Sequence, residues 1–579
     1  MVSQGRVPGW DELPDEILLQ IVRYLEPCHI TNLQLVSRKL RKFCLDDGLW
    51  KRLCLGDSPW YRSLQSRRGL SGAPLESADG PRHATLLLDP GSANIHESEL
   101  QDMANWDPTY PGEQVSWYDE YMQRNGPVCV NWLQTPRIHN GERDAMAEAR
   151  GLALYSPRDG LGTMLAVSPL DDGSVCLWDV RGTRGKRGGI VARSKLGMLT
   201  LDGPGSQKGQ RSAKVDTGVI ECVSVNNSDH RALFAVKSHL VEVDLRRLDV
   251  VSRESFEWSI TTLSAVHEGV PLTVGTSLGI HLHDFRARAR VPHEAIERLD
   301  GPQRGNADVL KAIFDPKPLP PYAALSQPTP ISILHLPRLG SPDLVSDDIY
   351  VAGRFTNILH YDRRKFPSIA GTIHSGAQIK SLASLPFSFS PLDTELRQTL
   401  IAGGGYNTKG SLEIYGLSTA TESASHGMLH NSAMKNRQTA ASATILSVIN
   451  HGTKIVFSDG AGLLKWFERD GSTECRRVKI GHSDAEELDS LFASMPGTDD
   501  LARKMVSTQP REGQERSNDD NILFWTGEKL GMVADSEEAT EDAERKRAYK
   551  DRMRKALAWQ ADEVRFMGTL GMGMGMGAG

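Results

Sequence analysis

The sequence is poor in the features that would classify it at a glance. Its seven cysteines (28, 44, 54, 129, 176, 222 and 475) are odd in number, scattered and free of any CxxC pair. That excludes a disulfide framework or a zinc module and points to reduced thiols in cytosol, nucleus or both. No run approaches the 18 apolar residues of a membrane-spanning helix, and the first residues lack the charged-then-apolar build of a signal peptide. Neither sign of charge dominates: 67 basic residues against 73 acidic ones leave a net of −6 over 579 residues. A chain that coats nucleic acid through bulk charge is thereby excluded, and no direct nucleic-acid partner is expected. Aromatics are only 6% of the chain, so the places where they bunch carry information. What is plentiful is glycine (54), proline (30) and enough hydrophobic residues (39%) for real cores, which together describe a turn-rich, multi-part, soluble protein. Length alone allows about four ordinary domains.

Motifs that carry catalytic chemistry are also scarce. GTSLG at 275–279 has the spacing of a hydrolase nucleophile elbow, but that device needs a strand, a turn and a helix. Ser277 is followed by an alternating strand, so a hairpin turn is expected. His281 and His283 fall on one face of that strand, where they either share a metal or pack as an ordinary pair. Gly403, Gly404 and Gly405 lack a following Gly-Lys-Ser/Thr and a helix, so they cradle no phosphate and are read as a hairpin turn. No catalytic residue, metal ligand or cofactor-binding residue is assigned.

The first informative stretch is 10–55. Pro14 suits a helix start, Asp15 and Glu16 favour the positive end of the helix dipole, and Ile17, Leu18, Ile21, Val22 and Leu25 follow at helical spacing up to Pro27. Leu33, Val36, Leu40 and Phe43 mark the inner face of a second helix, and Leu49, Trp50 and Leu53 begin a third. Three short helices in so few residues make a marginal core. Leu13, Leu19 and Leu35 fall outside the inward stripes, which fits either a partner surface or packing on the rest of the chain.

Leu13-Pro14, Glu16-Ile17-Leu18, Ile21, Leu25, Pro27, Leu33, Val36-Ser37-Arg38 and Leu49-Trp50 together resemble the F-box, the helical module that docks on the Skp adaptor of cullin–RING ubiquitin ligases. The resemblance implies that Leu13, Pro14, Ile17, Leu18 and Leu35 lie at or near the adaptor-facing surface and that Trp50 fixes the third helix. Thr31 is expected to cap the second helix, since His29 stands where a capping residue is common.

Residues 56–127 read as a linker, rich in small residues around 66–98 and ending in an aromatic cluster of Trp106, Tyr110, Trp117, Tyr118 and Tyr121. The cluster either anchors a partner or packs the linker onto the next domain. Over 128–535 one unit recurs, an apolar strand, a tight turn and an alternating strand often ending in Asp. It appears at 163–180, 231–245, 272–285, 348–362, 399–417, 453–468 and 521–535. Further alternating strands precede most copies (219–225, 261–267, 331–336, 379–385, 445–450), and a fourth strand follows at 475–480. Serial four-stranded units that cannot bury both faces alone describe an all-β propeller with seven blades. The unit resembles the WD repeat, with Trp178-Asp179 as its literal dipeptide. Asp244, Asp284 and Asp362 hold the equivalent strand end, with Gly416, Glu468 and Asp535 nearby in the last three units. The strand at 128–134 is expected to close the ring as the outer strand of blade seven.

Between 181 and 214 there are nine Lys/Arg against one acid, Asp202, a local net of +8. In a propeller, Lys195, Lys208, Arg211 and Lys214 would share a face with Arg354 and Lys409, which sit in hairpin turns. Such groups suit an acidic or phosphorylated protein substrate, because a guanidinium fork pairs phosphate bidentately. A solvated loop and a nuclear-import patch are the competing readings of the same residues. Residues 536–579 read as a charged helix and a Gly/Met low-complexity tail. The expectation as a whole is a small helical F-box head before an all-β, WD-repeat-like propeller. By resemblance this is a substrate receptor of an SCF-type ubiquitin ligase, with Skp and cullin as partners and no chemistry of its own. A Skp-bound scaffold is the alternative.

Overall fold

The structure, a computed structural model, describes residues 13–70, 101–110, 113–140, 143–200, 219–284, 322–325, 329–338, 341–385, 397–418, 440–481, 501–508 and 521–535. Lys208, Arg211, Lys214, and the expected helix and tail of 536–579, lie outside the described residues.

The head departs from the expected three helices. Helix α1 is Asp15–Arg23 and α2 is Pro27–Leu33, which Pro27 opens at its first position. Thr31 does not cap α2; its hydroxyl donates to the Cys28 carbonyl from inside the helix. The expected second helix breaks in two after residue 33, because Ser37 turns extended and caps a new helix, α3 (Arg38–Cys44), by accepting from the Leu40 N–H at 3.2 Å. Val36 is thereby left exposed between them instead of facing inward. Helix α4 (Asp47–Asp57) is capped by Asp46, and its Trp50 is fully buried with Nε1 donating to the Cys44 carbonyl. Helix α5 (Pro59–Leu70) follows.

Described stretches of the segment read as a linker pack on this head. Helix α6 (Trp117–Asn125), capped by Ser116, lays Trp117, Tyr118 and Tyr121 against Trp50, with Tyr118 and Tyr121 ring centroids each 5.0 Å from it. Trp106 stacks at a tilt on Trp117, and Lys51 lies 4.9 Å over the Trp117 ring. Val22, Ile30, Cys44, Leu49, Trp50, Cys54, Leu55, Trp106, Trp117 and Tyr121 form one core. Trp106, Trp117, Tyr118 and Tyr121 thus supply the apolar surface that helices α1–α4 lack, while Tyr110 of the same cluster lies under Arg469 of blade six, so the cluster packs on the head and on the next domain.

Behind the head, seven antiparallel sheets of three or four strands form the blades among the described residues, each containing one of the seven expected hairpins, beside a two-stranded sheet of Arg137–Asn140 and Arg143–Met146. Blade one runs from Ala153–Tyr155 to Ile190–Arg193, blade two from Val219–Asn226 to Asp249–Ser255, and blade three from Ile260–Leu263 to Tyr322–Ala324. Blade four runs from Pro330–Arg338 to Ile369–His374, and blade five, three-stranded among the described residues, from Gln378–Leu385 to Lys409–Ser418. Blade six runs from Ile445–His451 to Glu474–Lys479. Blade seven starts at Lys504–Ser507, and its outer strand is Val128–Trp132, paired with Leu530–Asp535. The ring is closed by chain taken from before blade one.

Seven apolar cores alternate with the seven blades. Val167 of blade one meets Phe234 of blade two, and the series continues round to Phe524 of blade seven against Trp466 of blade six. Trp178 of blade one and Trp525 of blade seven fill the closing core. No blade buries both faces by itself, which is why the repeat needs a ring. Serine hydroxyls on inner strands tie neighbours together: Ser332 accepts from Leu382 N–H, Ser381 from Val448 N–H, and Ser447 from Met505 N–H, all at 3.0–3.1 Å. Gly403, Gly404 and Gly405 are not the turn expected of them; they lie inside the strand Arg397–Tyr406. A Cβ on Gly403 would come within 2.3 Å of Val448, and one on Gly404 within 2.1 Å of the Gln378 carbonyl, so blade five packs this close only on glycine. The turn itself is Asn407-Thr408, both at positive φ.

Buried histidines make the propeller sensitive to acid. His281 packs edge-on to Phe256, and His335 bridges two blades to the Thr273 hydroxyl at 2.8 Å. Burial pushes the His281 pKa down to about 4 and that of His335 to about 3. Both are neutral when folded, whereas the unfolded chain takes up protons from about pH 6.5 downward. Their stabilising contribution is full above pH 6.5 and is lost progressively as pH falls toward 4. Thermal melts at pH 7.5, 6.0 and 5.0 should show a falling midpoint, and His335→Gln should flatten that dependence.

Candidate protein-binding surfaces

Two faces of the ring must be distinguished. The upper face carries the turns between second and third strands and the links from one blade to the next. The lower face carries the other two turns of each blade.

The head meets the lower face of blade six through charge. Glu120 and Arg124, one turn apart on α6, enter the turns that join Lys454 to its preceding strand and Glu468 to the strand after it. Lys454 Nζ donates to Glu120 Oε1 at 2.6 Å, Arg124 Nε donates to the same oxygen at 2.7 Å, and the Thr453 hydroxyl adds a third bond at 2.5 Å. The Arg124 fork then spans both oxygens of Glu468. Lys454 and Glu120 are wholly buried and Arg124 nearly so. Burial alone would raise the Glu120 pKa, yet the Lys454 and Arg124 cations hold it far below the carboxylate range. Around this centre, Arg476 donates to the Gln123 carbonyl at 2.8 Å and to that of Gly126. Arg469 pairs with both oxygens of Glu113 at 2.6 Å and lies 4.7 Å over the Tyr110 ring. Cys54 and Cys475 border the cluster, and burial pushes both thiols up, away from the reactive thiolate form.

The sequence reading missed this clasp because its partners are over 300 residues apart. Two signals were present: Lys454 opens a strand whose next three residues are apolar, and Glu468 replaces the strand-end Asp. In other blades that Asp serves its own turn. Asp179 accepts from the N–H groups of Arg181, Gly182 and Arg184, Asp244 from those of Arg246 and Arg247, and Asp362 from that of Arg364. Blade six spends the equivalent side chain on the head instead.

On the head, Pro14, Ile17 and Leu35 are exposed, Leu13 is half-buried, and Leu35 is 84% accessible beside the 68% accessible Val36. Leu18 is the exception among the residues expected at this surface. It is 1% exposed, because the step from Ile17 to Leu18 rotates the side chain by a quarter turn into the bundle. Lys39 ties the start of the chain to α3 by donating to the Leu13 carbonyl at 3.2 Å.

On the upper face, Arg354 is exposed in the hairpin turn of blade four, Lys409 is exposed at the start of the strand just after the Asn407-Thr408 turn of blade five and not in the turn as expected, and Lys195 is exposed in the segment after blade one. Gly197 N–H donates to the Asp172 carbonyl, which places that segment beside the hairpin turn of blade one. The three expected cations therefore share a face, on separate blades. Ser277 lies in the two-residue turn between Leu272–Thr276 and Gly279–His283, a hairpin and no nucleophile elbow. His283 pairs with Glu254 at 3.2 Å while His281 is buried against Phe256. Among the described residues, the ligand-bearing triad with atoms within 4.8 Å is the exposed Glu26, Cys28 and His29, which includes neither. No described helix is long and apolar enough to cross a membrane.

Residues 10–56 match the F-box-like family. No curated protein matches the sequence. Among solved structures, the β-propeller domain of Cps50 (Swd1) from Myceliophteria thermophila is similar over 71% of this chain and 100% of its own length, at 10% identity and a TM-score of 0.39. The chain thus carries an F-box-like head followed by a seven-bladed β-propeller, an arrangement that fits adaptor binding at one end and protein interaction at the other.

The clasp predicts a specific asymmetry. Glu120→Ala leaves Lys454 buried without a counter-charge, while Arg124 keeps Glu468, and should cost about 3–5 kcal/mol, as is typical when one partner of a buried ion pair is removed. Glu120→Met with Lys454→Met should cost clearly less than the sum of the single changes. Urea unfolding of the wild type, Glu120→Ala, the two single methionine variants and their double measures both terms.

Proposed function

We propose that this chain is the substrate-recognition subunit of an SCF-type ubiquitin ligase. The F-box-like head docks on the Skp adaptor and through it on cullin, and the propeller holds a protein substrate. The observation that carries the reading is the division of labour between surfaces. Apolar Ile17, Leu35 and Val36 stand exposed on the head. The head is clasped to the lower face of blade six, and the exposed cations Lys195, Arg354 and Lys409 lie on the upper face. A substrate on the upper face is held at one fixed orientation to whatever the head binds, which raises its effective concentration at a transfer site. The reading gives the chain no thioester and no cofactor; the chemistry belongs to its partners. Cytoplasm and nucleus are the compartments it implies.

Ile17→Asp with Leu35→Asp places charge where an apolar contact is required and should reduce capture of co-expressed Skp at least tenfold while leaving the melting midpoint unchanged. Leu18→Ala, by contrast, should lower the midpoint, since it opens a cavity worth about 2–5 kcal/mol. Adaptor capture unaffected by the double aspartate would reject the head assignment. Reconstituted ubiquitination of proteins captured by the propeller then separates a receptor from a scaffold.

A further inference from the structure

One thiol is handled differently from the rest. Cys44, Cys54, Cys129 and Cys176 are buried, Cys222 and Cys475 are partly buried, and Cys28 is the exposed cysteine of the seven. An exposed free thiol is open to oxidation and exchange, so its neighbours decide what it can do. Those neighbours are the Glu26 carboxylate and the His29 imidazole, both exposed as well. One ligand atom from each of the three lies within 4.8 Å of the other two.

The backbone holds the three together. Glu26 is extended, at φ −67° and ψ 151°, and Pro27 opens α2 with its ring-fixed φ, so Cys28 and His29 follow in the first helical turn. The His29 N–H donates to the Glu26 carbonyl at 2.9 Å and closes that turn. Glu26 stands at the cap position, where Ser37, Asp46 and Ser116 each accept an N–H at the start of their own helices. Its carboxylate, one methylene longer than that of Asp46, caps nothing. It is turned to the thiol instead, and Cys28 Sγ donates to Glu26 Oε2 at 3.7 Å.

We propose that Glu26, Cys28 and His29 form a binding site for a borderline divalent transition-metal ion, Zn²⁺ above all. Sulfur, imidazole nitrogen and carboxylate oxygen are the three donors that zinc accepts, whereas Mg²⁺ and Ca²⁺ require oxygen throughout. Zinc holds sulfur at about 2.3 Å and nitrogen or oxygen at about 2.0–2.2 Å, which sets its ligand atoms less than about 4 Å apart. Rotation of three exposed side chains closes the remaining gap. As the metal–sulfur bond forms, the thiol proton leaves to solvent, and His29 contributes a neutral ring lone pair. The positive end of α2 opposes a cation, so the thiolate and the carboxylate must supply the balancing charge. Three protein ligands leave the fourth tetrahedral position to water or to a donor from a second molecule. Paired-cysteine spacing does not announce such a site, because its only sulfur is flanked by Glu and His. The proposal is independent of the receptor reading.

The test is titration of the full chain with Co²⁺ as a spectroscopic probe for zinc. A near-ultraviolet thiolate-to-cobalt charge-transfer band is expected, bleached by Zn²⁺ and untouched by excess Mg²⁺. Cys28→Ser should abolish the band and Cys222→Ser should leave it. Glu26→Ala and His29→Ala should each weaken Co²⁺ binding about tenfold. In a second measurement, Zn²⁺ should slow alkylation of Cys28 about tenfold in the wild type and far less in His29→Ala. All three residues are exposed, so the metal-free variants should keep the wild-type melting midpoint, which separates loss of the site from misfolding. No charge-transfer band, a band that survives Cys28→Ser, or alkylation as fast with Zn²⁺ as without it would each overturn the proposal. Binding undiminished by both Glu26→Ala and His29→Ala would reduce the site to an ordinary exposed thiol and overturn it equally.

Discussion

Glu120 sits among Lys454, Arg124 and Thr453 with no exposed surface, and the relation of the head to the ring depends on that cluster. Removing four charges from water is expensive, and two apolar surfaces of the same volume would hold as tightly or more so. What the charges add is direction. An apolar contact tolerates sliding and rotation, whereas a guanidinium fork on Glu468 and an ammonium on Glu120 can be satisfied together in one pose only. A receptor whose two ends must face fixed partners has use for that property.

The cluster also explains why α6 belongs to both bodies. Its aromatic side, Trp117, Tyr118 and Tyr121, completes a helical core too small to stand alone, and its charged side, Glu120 and Arg124, meets blade six. The opposing residues are unusual for a propeller: Lys454 opens a fully buried strand, and Glu468 is withdrawn from the turn-capping task its counterparts perform at Asp179, Asp244 and Asp362. Two local departures from the repeat are accounted for by one contact.

The ring itself was legible in the sequence because it is written locally. Strand alternation and tight turns repeat within some 15 residues, and all seven hairpins, together with the closing strand at 128–134, lie where that pattern puts them. What could not be read is non-local. The linker that is a layer of the head depends on Trp50 meeting Tyr118 and Tyr121; the inward turn of Leu18 depends on where α3 and α4 lie; the triple glycine depends on Val448 and Gln378 pressing against a strand. The break at Ser37 is different. It was available locally as a capping signal, but the apolar stripe running from Leu33 to Phe43 outweighed it. For the candidate sites the division is the same. The exposed cations follow from topology, whereas the buried cluster of Glu120, Arg124, Lys454 and Glu468 emerges only when α6 is seen against blade six.

The closing strand has a consequence for how the molecule is made. Val128–Trp132 leaves the ribosome before any blade and finds its partner, Leu530–Asp535, only after every blade has been synthesised. A chain made from its N-terminus therefore carries an unpaired outer strand, and beside it a helix bearing Glu120 and Arg124 with nothing yet to neutralise them, through the whole elongation of the ring. Loop closure over that separation comes late and costs entropy. Seating of the head and sealing of the ring become a single terminal step, so a chain interrupted anywhere in its seven blades lacks both the finished upper face and the fixed head.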